Sequence, residues 1–290
     1  MASNNANLPK GKKENHFMTS ARFVLTILTA LCTAPMALAH EFWIEPLKFQ
    51  AKSGQIIVAD LRNGELFAGN RQPFFESRNT RFEAVLGAQI TPVTGRSGDI
   101  PAIGLAAPDT EGLMVLVHEA APSTITYKEW AKFLSFAEHK DFTFAAALHA
   151  ERGWAQENFK EIYTRHSKSL LAVGGGAGSD REMGLATEFV ALDNPYDADF
   201  DGTLEVALLY DGAPRVDAQI EVYARDAADV VTVSILRTDA QGHAVVPVAP
   251  GMEYMLDAVV LREAAGATTA EAGPVWETLW ASLTFAVPAR

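Results

Sequence analysis

The stretch TLEVALLYDGAP at residues 203–214 carries the main signal for the fold of this chain. Its first residues alternate between polar and apolar side chains, which is typical of a half-buried β-strand, and Asp211-Gly212 then marks a turn. Five further segments of the same character follow it: Ala218–Ala224, Val230–Arg237, His243–Val248, Met252–Leu261 and Trp276–Val287. Because so many short strands lie between turn signals, we expect residues 185–290 to form an antiparallel Greek-key β-sandwich.

Upstream of this region, residues 40–122 also show short β-type segments between turn signals, and we expect them to form an N-terminal β domain. The pattern changes in residues 123–184, which we interpret as a helical segment followed by a glycine-rich linker. There, Thr126-x-x-Glu129 has the form of a capping box at the start of a helix. A second helix is expected to stop at Gly153.

The expected fold class is therefore mainly β, with two β-sandwich domains and a short helical insertion between them. Three segments, Tyr210–Pro214, Ala218–Tyr223 and Thr238–Gly242, together resemble the Greek-key modules of transthyretin-like domains. By this resemblance, the sandwiches are expected to be Ig-like or transthyretin-like. A resemblance of this kind concerns the fold and says little about the chemistry.

Residues 1–39 have the pattern of a secretory signal peptide rather than of a folded element. Basic residues such as Lys13 and Arg22 precede a short apolar run, and Ala37-Leu38-Ala39 matches a cleavage site. No later segment approaches the run of about 18 apolar residues that a membrane span requires. The chain is therefore predicted to be cleaved after Ala39 and to reside in the periplasm without a membrane span.

Composition and motifs exclude several classes of protein. Acidic residues outnumber basic ones by 36 to 24, and the resulting net charge of −12 argues against nucleic acid as a partner. The single cysteine, Cys32, excludes a disulfide framework and a cysteine-rich metal site. The chain has no Gly-x-Ser-x-Gly nucleophile motif, and Pro122 stands where a zinc protease would need a second histidine after His118. We therefore expect the protein not to be an enzyme.

Cleavage after Ala39 would make His40 the first residue of the mature protein. Its α-amine and one ring nitrogen would then form a chelating pair, and imidazole suits copper, nickel and zinc. His149 and His118 are the candidates for a further ligand, which the fold would have to bring close to His40. The sequence thus indicates a divalent transition metal (Ni, Co or Cu) as a ligand of the protein. The alternative is that His40 merely begins a strand and that no metal is bound.

Several motifs together carry a resemblance to a known family. They are His40–Pro46, Gly98–Ala102, Thr126–Phe133, His149–Gly153, Tyr163–Lys168, Asn194–Tyr196 and Trp276–Phe285. This set resembles the NikM-like family of exported bacterial proteins, a domain of unknown function that is linked by name and gene context to nickel and cobalt uptake. The resemblance covers nearly all of residues 40–288. It implies β-sandwich domains and a periplasmic accessory role in transition-metal uptake, and it implies no catalytic residue.

The leading hypothesis is a non-catalytic periplasmic protein that binds a metal ion or a metal chelate for a membrane uptake system. Two alternatives from other classes remain open. One is a copper histidine-brace oxidoreductase acting at His40, which would need a second histidine close to His40 in space. The other is a carbohydrate-binding or adhesion module. Sugar binding would need exposed aromatic side chains, whereas Trp276 and Trp280 are expected to pack in the core.

Overall fold

The computed structural model of the protein describes residues 1–2, 40–268 and 273–289. Apart from its first two residues, the predicted signal peptide at 1–39 lies outside the described residues, and so do Cys32 and the predicted cleavage site behind Ala39. No helix among the described residues is long and apolar enough to cross a membrane.

Within the described residues the chain forms 18 β-strands and two α-helices, which confirms the predicted mainly β fold with a short helical insertion. The strands are β1 (Glu41–Pro46), β2 (Gln50–Ala51), β3 (Ile56–Glu65), β4 (Ala68–Gln72), β5 (Asn79–Leu86), β6 (Gln89–Pro92), β7 (Ile103–Ala106), β8 (Gly112–Ala120), β9 (Ser123–Tyr127), β10 (Phe159–Val173), β11 (Thr187–Ala191), β12 (Thr203–Tyr210), β13 (Ala213–Pro214), β14 (Gln219–Arg225), β15 (Val231–Arg237), β16 (His243–Pro247), β17 (Glu253–Glu263) and β18 (Pro274–Ala286). The helices are α1 (Trp130–His139) and α2 (Ala145–Glu151), and a short 3-10 helix spans Glu76–Arg78.

A ten-stranded sheet forms the centre of the fold, in the order β15-β14-β17-β18-β10-β8-β5-β6, with β2 and β9 also paired to β10. Strands from both predicted β domains, 40–122 and 185–290, therefore belong to one sheet. The strand that joins them is β10, because it pairs with β8 on one side and runs parallel to β18 on the other. The boundaries predicted at residues 122 and 184 do not coincide with a division between sheets.

Two smaller sheets cover the two faces of this central sheet and enclose two cores. One contains β1, β3, β4 and β7, and the other contains β11, β12, β13 and β16. The central strands supply alternate residues to each core: Leu113 and Val115 of β8 belong to one, and Met114 and Leu116 belong to the other. Because both faces of β8 are buried, its sequence shows a continuous apolar run instead of an alternation.

The helical segment is shorter than predicted, because strands occupy both ends of residues 123–184. Thr126 lies in β9 opposite Lys160 of β10, so it does not cap a helix. The residue before α1 is Glu129, and it makes no side-chain capping hydrogen bond. The expected capping box is therefore wrong. Gly153, in contrast, has a φ of +66° directly after α2, which is the left-handed conformation that glycine adopts at helix ends.

Both helices pack on the sheet through an aromatic cluster. The cluster includes Phe133 and Phe136 of α1, Trp154, and Phe159 of β10. From β18 it includes Trp276 and Trp280, which are both buried, as the sequence predicted. The helices therefore cover the end of the central sheet at which β9, β10 and β18 meet.

Candidate functional site

A cleft of about 510 Å³ lies where the start of β1 meets β9, β10 and β18. It is lined by His40, Asn63, Ile125, Thr126, Tyr127, Lys128, Lys132, Glu161, Tyr163, Arg165 and Trp280. His40 also borders a second depression, which is lined in addition by Glu65, Gly69 and other residues of the β3–β4 hairpin. His40 therefore stands between two open spaces on the surface of the protein.

The strand β10 supplies three of the cleft residues through its alternation. Glu161, Tyr163 and Arg165 are two residues apart along the strand, so their side chains lie on the same face. In the parallel register with β18, Glu161 lies opposite Trp276 and Arg165 lies opposite Trp280. The sequence stretch around residue 163 is compatible with either a helix or a strand, but only the strand explains why these three side chains line one cleft.

The position of His40 follows from the pairing of β1 with β3, which begins with Glu41 opposite Gly64. The carbonyl oxygen of His40 accepts a 2.6 Å hydrogen bond from Nη1 of Arg165, 125 residues away in the chain. Its imidazole Nδ1 lies 3.7 Å from Oε1 of Glu65, and its side chain is 54% exposed. The backbone of His40 is thus held in place while its ring remains accessible.

Arg165 forms the cationic part of the cleft. Its guanidinium carbon lies 5.1 Å from the ring centre of Tyr163, 5.3 Å from that of Trp280 and 5.7 Å from that of Phe42. Among the described residues no carboxylate lies within 4.0 Å of this guanidinium. Burial lowers the pKa of Arg165, although a guanidinium stays charged in proteins. The positive charge of Arg165 is therefore held by aromatic rings and not by an ion pair.

Glu161 is the buried acid at the base of the cleft. The Tyr127 hydroxyl donates a 3.0 Å hydrogen bond to Oε2 of Glu161, and the Thr278 hydroxyl donates a 2.5 Å bond to Oε1. Thr278 in turn accepts a 3.0 Å bond from the indole N–H of Trp280. Burial raises the pKa of Glu161 to about 7, although both hydroxyl donors act in the opposite direction. Close to neutral pH this carboxyl group is thus only partly charged.

His149, one of the predicted metal ligands, lies fully buried in the aromatic cluster. Its Nδ1 accepts a 3.0 Å hydrogen bond from Nε1 of Trp276, because an indole nitrogen can only donate. Its Nε2 must then carry the proton, which it donates to the carbonyl of Ala155 at 3.0 Å. Burial lowers the pKa of His149. With both nitrogens in hydrogen bonds, His149 has no ring nitrogen to offer to a metal.

His118, the other predicted ligand, is also buried, but on a different groove. This groove of about 450 Å³ shares Asn63, Tyr163 and Arg165 with the cleft. Nε2 of His118 lies 2.9 Å from Oδ1 of Asn79, and Nδ1 has no hydrogen-bond partner among the described residues. Burial, together with repulsion from His166, lowers the pKa of His118 to about 3, so the ring is neutral at physiological pH.

The structure therefore does not assemble the three predicted histidines into one site. His40 lines the cleft, His118 lines the neighbouring groove, and His149 is part of the core. Within residues 40–268 and 273–289, no group of three or more His, Cys, Asp or Glu side chains is arranged to hold a metal ion. The α-amine that cleavage after Ala39 would create is not among these groups, and the N-terminal metal site remains a prediction.

An ionic cluster around Lys140 also lies near Trp280, a residue that lines the cleft. Lys140, at the end of α1, places its Nζ 2.8 Å from Glu221, 2.9 Å from Asp257 and 3.7 Å from Glu41. Burial lowers the pKa of Lys140, but attraction to Asp257, Glu221 and Glu41 outweighs burial and raises it. The Lys140 ammonium also lies 5.0 Å from the ring centre of Trp280. This cluster fixes the end of α1 against the sheet.

Sequence reasoning missed the cleft residues Glu161, Tyr163, Arg165 and Tyr127. The available signal was the alternation along β10, since a strand would place Glu161, Tyr163 and Arg165 on one face. Glu161 and Arg165 are four residues apart, so a helix over this segment would also place them together, as an ion pair. In the structure these two side chains form no ion pair within 4.0 Å in the described part of the chain.

A family model described as Domain of unknown function (DUF4198) matches residues 37–262. No curated protein matches the chain. One similar solved structure is a tetra-tandem repeat in the extending region of a large adhesion protein, with 9% identity and a TM-score of 0.22. That match covers 85% of this chain and 49% of the other, so this chain spans about half of the adhesion chain's length. Another is the D0-D1 domain of Intimin, with 14% identity, a TM-score of 0.20, and coverage of 84% of this chain and 97% of the other.

Proposed function

The chain belongs to the family described as Domain of unknown function (DUF4198), and we propose that it is an exported, non-catalytic protein that binds a divalent transition metal at the cleft around His40. In this proposal the metal is of the nickel or cobalt type, arrives as an ion or a small chelate, and is passed to a membrane uptake system. The periplasm would be its compartment, after cleavage behind Ala39.

The observation that carries this proposal is the placement of His40. The predicted first residue of the mature chain lies at the mouth of the cleft with its side chain 54% exposed. Arg165 and the β1–β3 ladder hold its backbone. An α-amine at this residue and the adjacent Nδ1 would form a chelate ring with a metal ion, and imidazole is a ligand that suits nickel and copper.

Glu65 supports the proposal as a third donor. Its Oε1 lies 3.7 Å from Nδ1 of His40, a separation at which both atoms can lie about 2.0–2.2 Å from a single ion. Glu65 is the last residue of β3, next to the hairpin that borders the second depression. The amine, the imidazole and this carboxylate would leave further coordination positions for a small ligand in the cleft.

The copper histidine-brace alternative has weaker support. A brace requires a second histidine ring beside the first, and His149 keeps both of its ring nitrogens in hydrogen bonds. His118 lines the neighbouring groove, where its Nδ1 is buried. Binding without turnover at His40 therefore accords better with the geometry of these three residues than oxidation of a substrate does.

The test is a calorimetric titration of Ni(II), Co(II) and Cu(II) into the protein that begins at His40. The comparison proteins are His40→Ala, a version with one additional N-terminal glycine, and Glu65→Gln. The added glycine keeps the imidazole but moves the amine, so we expect the metal affinity to fall by roughly tenfold or more. A tenfold fall corresponds to about 1.4 kcal/mol of binding free energy. Glu65→Gln should weaken binding, whereas Glu76→Gln, at an exposed position outside the cleft, should not.

Equal affinity in all of these proteins would overturn the proposal. If His40→Ala loses metal affinity and the glycine-extended protein does not, the metal binds through the imidazole alone. That result would exclude chelation by the amine. Copper-dependent oxidation of an added substrate by the protein that begins at His40 would instead favour the histidine-brace enzyme.

A further inference from the structure

We propose that the cleft binds a small organic anion bearing carboxylate groups, that Arg165 recognises this anion, and that the metal reaches His40 as a complex of such an anion. The identification of the anion as a metal chelator rests on the proposed function. The binding of the anion itself rests on the cleft alone.

The first support is the state of the Arg165 guanidinium. It makes one hydrogen bond, to the carbonyl of His40, and its other N–H groups make none within the described residues. These N–H groups are not among the buried unpartnered polar atoms, so they reach accessible space, and Arg165 lines both the cleft and the neighbouring groove. A guanidinium has a rigid fork of donors that matches a carboxylate in a bidentate manner. Arg165 therefore offers a preformed carboxylate-binding group.

The second support is the local charge of the cleft. The whole chain has a net charge of −12, yet the cleft is lined by Lys128, Lys132 and Arg165. Its one carboxyl group, Glu161, has both oxygens engaged by hydroxyl donors and its pKa is raised to about 7 by burial. Lys132 is paired with Glu129, which lies outside the lining. A cationic cleft on an acidic protein favours an anion over a bare metal cation.

The third support is the size and the position of the cleft. Its volume of about 510 Å³ lies in the range of small-molecule sites. The rings of Tyr163 and Trp280 supply apolar walls for a carbon skeleton, and Asn63 is a polar residue of the lining. Because Arg165 is hydrogen bonded to the backbone of His40, an anion held by its remaining N–H groups would lie directly beside the proposed metal ligands.

The experiment is a calorimetric titration of citrate into the protein that begins at His40, after its metals have been removed on a chelating resin. Inorganic phosphate and uncharged glycerol are titrated in parallel. The variants are Arg165→Met, Arg165→Lys and Lys128→Gln, with Arg96→Gln and Lys52→Gln as matched controls at exposed positions outside the cleft. Urea unfolding of each variant reports whether it has kept its fold.

We expect citrate to bind the wild-type protein without metal, and to bind more tightly than phosphate. Arg165→Met should weaken citrate binding by about 10- to 100-fold, as expected for a lost charged hydrogen-bond pair. The affinity of Arg165→Lys for citrate should lie between those of wild type and Arg165→Met, since lysine keeps the charge but not the forked pair of donors. Lys128→Gln should weaken citrate binding less than Arg165→Met does. Because Lys128 is exposed, a higher salt concentration should reduce the effect of this substitution. The two controls should bind citrate as the wild type does.

Absence of citrate binding, or equal binding to wild type, Arg165→Met and Lys128→Gln, would overturn this inference. Phosphate binding as tight as citrate would also overturn it, because the site would then not select carboxylates. If Arg165→Met fails to fold, Arg165→Lys and Lys128→Gln decide the question. His40→Ala keeps the backbone carbonyl that Arg165 contacts, so it should still bind citrate. Citrate binding without metal binding would therefore leave this inference standing while the proposed function fails.

Discussion

Two histidines of this protein lie beside tryptophans on one face of β18, and their surroundings are opposite. His149 is fully buried, and both of its ring nitrogens are hydrogen bonded, one of them to Trp276. His40 stands at the cleft that Trp280 lines, and its side chain is 54% exposed. The residue type alone therefore does not identify a ligand site. What distinguishes the two residues is their burial: the ring of His149 is enclosed in the core, whereas the ring of His40 is accessible at the cleft.

The same contrast applies to the two cations beside Trp280. Lys140 lies among Glu41, Glu221 and Asp257, and its contacts join α1 to the sheet. Arg165 lies among aromatic rings and has no carboxylate within 4.0 Å among the described residues. We conclude that the charge of Lys140 is used for structure and that the charge of Arg165 is available for a ligand.

The largest effect is expected when Lys140 is replaced by Met. The change removes the ammonium that Glu41, Glu221 and Asp257 share, and removal of one partner of a buried ion pair costs about 3–5 kcal/mol. The free energy of unfolding, measured with urea at pH 7 by tryptophan fluorescence, should fall by that amount. The control is Lys132→Met, whose exposed pair with Glu129 is worth at most about 1 kcal/mol. Equal stability of the two variants would show that Lys140 does not stabilise the fold.

The next effect concerns the two histidines themselves. In His149→Ala a cavity opens in the aromatic cluster, and Nε1 of Trp276 loses its acceptor. We expect a loss of about 2–4 kcal/mol in the free energy of unfolding. His40→Ala should change the same quantity by no more than about 0.5 kcal/mol, because its ring is exposed. If His149→Ala and His40→Ala lower the free energy of unfolding equally, the assignment of His149 to the core and of His40 to the exposed cleft is wrong.

The smallest effect concerns pH and is read from Glu161→Gln. Burial raises the folded-state pKa of Glu161 to about 7 from its ordinary value of 4.5, so the native state holds this proton more tightly than the unfolded state. The resulting stabilisation is complete below about pH 4.5 and is lost as the pH rises through about 7. Since the glutamine does not titrate, the stability of the variant relative to wild type should rise by about 2 kcal/mol between pH 5 and pH 8.

Urea unfolding of wild type and Glu161→Gln at the two pH values measures this difference directly. Taking the difference between the proteins removes the contribution of His118, whose pKa is lowered by burial and whose effect on stability runs in the opposite direction. Glu157→Gln, at an exposed position, is the control, and its free energy of unfolding should equal that of the wild type at both pH values. A constant difference between wild type and Glu161→Gln would contradict the raised pKa.

Local sequence patterns predicted much of the fold. Alternation and turn signals identified the strands of residues 185–290. The apolar run Leu113–Val117 lies in strand β8, which has two buried faces, and such a run does not reveal which residue faces which core. The capping-box motif at Thr126 also failed, because pairing of β9 with β10 overrides the local preference for a helix start.

The sequence by itself determined that the chain is mainly β, since side-chain alternation depends only on neighbours along the chain. It also indicated His40 as a candidate residue, because the cleavage pattern and the histidine are adjacent. Only the tertiary structure decided which groups surround His40. Arg165 lies 125 residues away and reaches His40 because sheet register brings β1 and β10 together. Likewise, the packing of α2 on β18 satisfied the ring of His149. Contacts between distant segments depend on register and packing, which no local pattern encodes.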